Sequence, residues 1–251
     1  MNAGLVASVV LGFCLITVSG RASGETLRFE APINGPRKVS GALYMPASAS
    51  GRAPVVILIH GTAGPDSRYD FHRGALLRAG FAVFQVDFKS GVFHNAFDRP
   101  RAIVFLPAVE AAAARLRADP RIDSARIGVA GFSLGAAIAV IARGKVVYKA
   151  AVAFYPGCKF HRVSGSTQNE PLLILTGSKD SYGDGESCEE FARAVGASVK
   201  IYPGVYHGFD RAGQVTAGDP NAIGGTAVLR FDAKAANDAR ERMVAFFREH
   251  L

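Results

Sequence analysis

Short apolar-rich runs, separated by stretches of helical spacing, constrain this chain more than any other feature. Pro54-Val55-Val56-Ile57-Leu58-Ile59 is unbroken, the pattern of a strand buried on both faces. Similar runs recur at Phe81–Val86, Arg126–Ala130, Ala150–Tyr155, Pro171–Leu175 and Ser198–Tyr202. Helical patterns fall at Tyr69–Ala79, Pro107–Ala118, Leu134–Ala142, Glu186–Val195 and Ala233–Glu249, with Pro107 suited to a first turn and Asp232 to an N-cap. Thr26–Ala31 and Val39–Met45 alternate and read as partly exposed strands, antiparallel at one edge. Strands alternating with helices specify an α/β architecture: about eight strands, a mostly parallel sheet, helices on both faces. Ligand sites in such sheets lie beyond the carboxyl ends of the strands, so chemistry is sought there.

The 251 residues, 49% hydrophobic and 20% charged, suit one domain with a large core. Its expected extent is 23–251. Residues 1–22 differ: Ala3 to Val18 is nearly all apolar, and Gly20-Arg21-Ala22 offers small residues around a cleavage point. This reads as a secretory signal peptide, although Met1-Asn2-Ala3-Gly4 carries no Lys or Arg. An uncleaved anchor is the alternative, but roughly 16 apolar residues is short for a span. Phe13 ahead of Cys14 argues against lipid attachment. The expected location is periplasmic or secreted, with no stable membrane insertion after cleavage.

The formal charge of +8 is spread without a dense basic run, so a nucleic-acid partner is not expected. Loss of Cys14 with the leader leaves Cys158 and Cys188, and an even count in an exported chain suggests a disulfide. No His-Glu-x-x-His, paired Cys-x-x-Cys or Gly-rich phosphate loop occurs, so neither a metal nor a cofactor is expected.

Gly131-Phe132-Ser133-Leu134-Gly135 joins a strand-like run to a helical one. That context suits a nucleophile on a strained turn, its hydroxyl exposed where helix amides can hold negative charge. A serine hydroxyl needs a base, and the base an orienting carboxylate. Of His60, His72, His94, His161, His207 and His250, only His207 combines a post-strand loop with a late position. Asp180, in Gly177-Ser178-Lys179-Asp180, is the acid candidate, with Asp184 and Glu186 as competitors. The chain order Ser133, Asp180, His207 is the one strand–elbow–helix hydrolases use. The oxyanion donors expected are the backbone amides of Leu134 and of Thr62 in His60-Gly61-Thr62-Ala63-Gly64, with Gly61 and Ala63 not excluded. His60 is expected to fix this loop. Phe88, Phe93 and Phe97 are candidate pocket walls or ordinary packing. Gly-rich 212–225, following His207, reads as a mobile wall of the site or as a plain surface loop.

On these motifs, and on Tyr202-Pro203-Gly204-Val205-Tyr206-His207-Gly208-Phe209, the chain resembles the dienelactone hydrolase family of the α/β-hydrolases over nearly all of the mature sequence. The resemblance implies an α/β-hydrolase fold and hydrolysis without a cofactor. Familiar members carry a cysteine where this chain has Ser133. Pro156 to Glu170 is too short to form a large lid. The expected activity is that of an exported serine hydrolase cleaving a small-molecule carboxylic ester or lactone through an acyl-enzyme. A non-catalytic binding protein of the same fold, and an acyltransferase or amidase, are the competing readings. Nothing in the residues sets the oligomeric state.

Overall fold

Alternate residues of the central strands pack into opposite layers, and this decides where the helices lie. The computed structural model describes residues 23–33, 35–49, 51–88, 102–145, 148–160 and 170–251. The leader at 1–22, with Cys14, and Phe93, His94, Phe97 and His161 lie outside the described residues. Strands β1 (Glu25–Pro32), β2 (Pro36–Tyr44), β3 (Ala53–Ile59), β4 (Ala82–Asp87), β5 (Ile122–Phe132), β6 (Ala150–Phe154), β7 (Leu172–Gly177) and β8 (Ser198–Tyr202) form one 8-stranded sheet, ordered β1-β2-β4-β3-β5-β6-β7-β8. β1 pairs antiparallel with β2, and β2 with β4. From β4 through β8 every pairing is parallel.

Val55, Ile57 and Ile59 of β3 join one core layer, under α2 (Leu106–Arg117), α3 (Leu134–Ile141) and α4 (Gly185–Val195). Val56 and Leu58 join the other, under α1 (Ser67–Arg78) and α5 (Ala233–His250). A strand buried on both faces has no polar side to show, which is why β3 reads as unbroken apolar sequence. The helices start where expected. Asp66 caps α1 by accepting from the Arg68 amide, Asp184 caps α4 through the Ser187 amide, and Asp232 caps α5 through the Ala235 amide. Asp184 thus satisfies a helix end and Glu186 lies in the same first turn, which leaves Asp180 as the carboxylate of that loop.

The winding reverses at β3, with β4 on one side and β5 on the other. The loops leaving β3 and β5 therefore part above adjacent strands, and the crevice so formed is where a ligand site belongs.

One segment departs from expectation. Gly-rich 212–225 does not run as a plain loop: β9 (Gln214–Gly218) and β10 (Thr226–Arg230) form an antiparallel hairpin. It is tied to the main body by a parallel bridge between Leu229 and His207, and the Val228 amide donates to Ser181 Oγ at 3.1 Å. Among the described residues no helix is long and apolar enough to cross a membrane.

Candidate active site

Ser133 follows β5 with φ 55° and ψ −115°, a left-sided conformation costly for any residue with a side chain. The surroundings enforce it. A β-carbon at Gly131 would stand 2.0 Å from the Gly135 carbonyl oxygen, so strand and helix approach more closely than any other residue would permit. The Ser133 amide donates to Phe154 O at 3.0 Å, locking the turn to β6. The hydroxyl is left half-buried at the start of α3.

His207 lies after β8, and its ring is 3% exposed. Its Nε2 is 2.9 Å from Ser133 Oγ, and its Nδ1 is 3.0 and 2.9 Å from the two oxygens of Asp180. A carboxylate only accepts, so Nδ1–H donates to Asp180 and Nε2 is left to accept the serine proton. Asp180 is held in turn by the Tyr182 amide at 2.8 Å and by the Thr176 hydroxyl at 3.5 Å. The structure brings Ser133, Asp180 and His207 together.

The loop after β3 passes directly beside the elbow. A β-carbon at Gly61 would lie 3.4 Å from the Ser133 β-carbon and 3.2 Å from Phe132 O. Gly64 N–H closes a turn onto Gly61 O at 3.1 Å, which leaves Thr62 at its tip, half-buried. Among the described residues no acceptor takes the Thr62 amide, and Leu134, first residue of α3, has no acceptor within its helix. His60 donates from Nδ1 to Gly61 O at 2.7 Å and accepts from the Phe88 amide at Nε2. It fixes the loop and takes no part in the contacts among Ser133, His207 and Asp180. Phe88 lies against His60 with ring centroids 4.0 Å apart and stacks on Phe105 at 4.6 Å, buried in the core.

Cys158 and Cys188 are disulfide-bonded, joining the turn after β6 to α4. The bridge therefore brackets the loop that carries Asp180.

A second polar cluster, which meets His207 through Tyr155, was missed in the sequence. Arg68, 5% exposed, grips Asp66 with Nε and Nη2 at 2.8 and 2.6 Å and donates to Tyr155 Oη at 3.1 Å. The Tyr155 hydroxyl donates to Asp210 Oδ1 at 2.5 Å, and His72 Nε2–H donates to Asp210 Oδ2 at 2.7 Å. Burial pushes the Tyr155 hydroxyl well above the ordinary tyrosine range, with Arg68 only partly offsetting it. Burial works against the Asp210 charge too, yet the hydrogen bond from His72 and the Arg68 charge hold that carboxyl below its ordinary range. Tyr155 itself has φ 44°, a second residue in strained conformation at a strand exit. Only the place of Asp210, directly after the Tyr202–Phe209 segment, hinted at any of this. A tyrosine ending an apolar strand reads as core.

Among the described residues no cluster of three or more His, Cys, Asp or Glu could hold a metal ion. The elbow, the residue order and the mostly parallel eight-stranded sheet define an α/β-hydrolase. Residues 39–251 match the dienelactone hydrolase family, and the chain belongs to it, among the carboxylic ester hydrolases. Comparison with curated proteins finds no match. Solved structures share the fold at low identity. A dienelactone hydrolase-like promiscuous phosphotriesterase from metagenomic libraries is 19% identical, with TM-score 0.69 over 91% of this chain and 99% of that one. An α/β serine hydrolase without lid from Xanthomonas campestris is 19% identical, with TM-score 0.58 over 74% and 86%. Esterase 2 of Thermogutta terrifontis, phosphoramylated by tabun, is 17% identical, with TM-score 0.67 over 90% and 94%.

Proposed function

We propose that this protein is an exported serine hydrolase that cleaves a small carboxylic ester or lactone by way of an acyl-enzyme. The observation that carries the reading is the 2.9 Å contact between His207 Nε2 and Ser133 Oγ, with Asp180 on the far side of the ring. Ser133 attacks the substrate carbonyl as His207 takes its proton, and Asp180 stabilises the imidazolium that forms. The Leu134 and Thr62 amides hold the oxyanion, worth about 3 to 4 kcal/mol of barrier for each donor. His207 then gives its proton to the leaving alkoxide. A water, deprotonated by the same nitrogen, frees the acyl group from Ser133.

Export rests on the apolar segment at 1–22 and accords with a disulfide, which persists in oxidising compartments. The mature protein is then residues 23–251, working alone or as an oligomer in the periplasm or outside the cell, without metal or cofactor.

The test is turnover of a panel of small activated esters and lactones by the wild type and by Ser133→Ala. We expect hydrolysis of at least one class by the wild type and its loss in the variant. Equal turnover by the variant would remove the mechanism.

A further inference from the structure

His207 is gripped from two sides. The Tyr155 ring stands edge-on to the imidazole with centroids 4.6 Å apart and an interplanar angle of 63°, and the Tyr182 ring does the same at 4.7 Å and 70°. The two tyrosines come from different parts of the chain: Tyr155 follows β6, and Tyr182 lies in the acid loop after β7. Each is anchored by its hydroxyl to a buried carboxylate. Tyr155 donates to Asp210 at 2.5 Å, and Tyr182 donates to Asp219 at 2.5 Å. Asp210 and Asp219 are 4% and 7% exposed, so neither anchor is a surface contact loosened by solvent. Asp219 is itself set by the Asn221 amide and side chain at 3.0 and 3.1 Å, and Asp210 by His72.

We propose that Tyr155 and Tyr182 are positioning residues, a pair of aspartate-anchored clamps that hold the His207 ring in line with Ser133 Oγ. The proposal rests on the serine-hydrolase reading above. Hydrogen-bonded contacts at Nδ1 and Nε2 still leave an imidazole free to tilt about the line joining the two nitrogens. Two edge-on rings remove the tilt, and anchored hydroxyls stop the rings from following the motion. The same geometry explains a conformational expense: Tyr155 is kept at φ 44° although it is not glycine, and in that conformation its ring meets His207 while its hydroxyl reaches both Asp210 and Arg68. Arg68 grips Asp66, just past the Gly61–Gly64 turn that carries Thr62, so one half of the clamp is joined to the oxyanion loop. Misplacing a general base by an ångström costs about 100-fold in rate, so a partial loosening is readable in turnover.

The experiment uses Tyr155→Phe and Tyr182→Phe, which keep each ring and delete only its anchor. Tyr182 is half-buried, so its variant keeps the test alive should Tyr155→Phe fail to fold. Steady-state kinetics on a small activated ester and the rate of Ser133 labelling by a fluorophosphonate are measured on folded protein. We expect each variant to lose about tenfold in kcat with KM changed less than about twofold, and labelling to slow by a similar factor. Wild-type labelling and kcat in a folded variant, whatever its melting temperature, would overturn the clamp. A wild-type protein whose Ser133 is not labelled at all would instead remove the hydrolase reading beneath it.

Discussion

Gly135 packs so closely beneath Ile59 that a β-carbon on it would stand 2.1 Å from the Ile59 carbonyl oxygen. The helix that follows Ser133 is thus seated directly on the strand that leads into the Gly61–Gly64 turn. Gly135→Ala must push α3 away from β3 and shift Ser133 relative to Thr62. We expect a loss of about 3 kcal/mol, read as a melting temperature lower by about 6–12 °C, and strongly reduced fluorophosphonate labelling of whatever folds.

Asp180 contacts His207 Nδ1 with both oxygens, at 3.0 and 2.9 Å. Asp180→Asn keeps the shape but can offer an N–H to Nδ1, turning the ring to the tautomer whose Nε2 cannot accept from serine. We expect kcat to fall about 10⁴-fold with the fold retained, as measured by ester turnover beside a thermal melt. Loss of less than about tenfold would show that this carboxylate is not the orienting one.

The Cys158–Cys188 bridge has a sequence separation of 30 and brackets Asp180. Chain entropy assigns such a loop roughly 3.7 kcal/mol. For Cys158→Ser/Cys188→Ser we expect a melting temperature lower by about 7–15 °C and reduced turnover, because the acid loop loses its tether. Both sulfurs are buried, so we expect the wild type to resist mild reductant until it is partly unfolded.

Acid should unfold the protein through specific carboxylates. Hydrogen bonds from the Arg121 side chain hold Asp119 below its ordinary range, those from Arg242 do the same for Asp238, and Asp210 is lowered by His72 and Arg68 against its burial. A carboxyl lowered in the folded state binds its proton more readily when unfolded. It therefore contributes stability that is complete above the ordinary value of about 3.9 and is lost as pH falls through the lower folded value. We expect the urea midpoint to hold steady from pH 7 to about 5 and to drop below about 4. Asp119→Asn should give a shallower acid slope.

The sheet was legible because β3, β6 and the second half of β5, Ile127 to Phe132, are buried on both faces and carry almost nothing polar, so their apolar runs stand out against amphipathic helices. Ser133, Asp180 and His207 were legible because each follows a recognisable strand in the order this architecture requires. The β9–β10 hairpin was not. All five residues of β9 are exposed, so no core face imposed alternation, and Gly213, Gly218, Gly224 and Gly225 in and around it resembled loop. Tyr155, Arg68, Asp210 and His72 were missed for a different reason. Their partnership is long-range, with Arg68 meeting Tyr155 across 87 residues and His72 meeting Asp210 across 138, and no local spacing encodes it.

Intact-mass and peptide-level analysis after fluorophosphonate treatment probes the activated serine without knowledge of the natural substrate. We expect one adduct per chain, on Ser133, formed by the wild type, absent from Ser133→Ala and greatly slowed in His207→Ala. An unmodified wild type, or an adduct on another residue with Ser133 untouched, would contradict the assignment of the nucleophile.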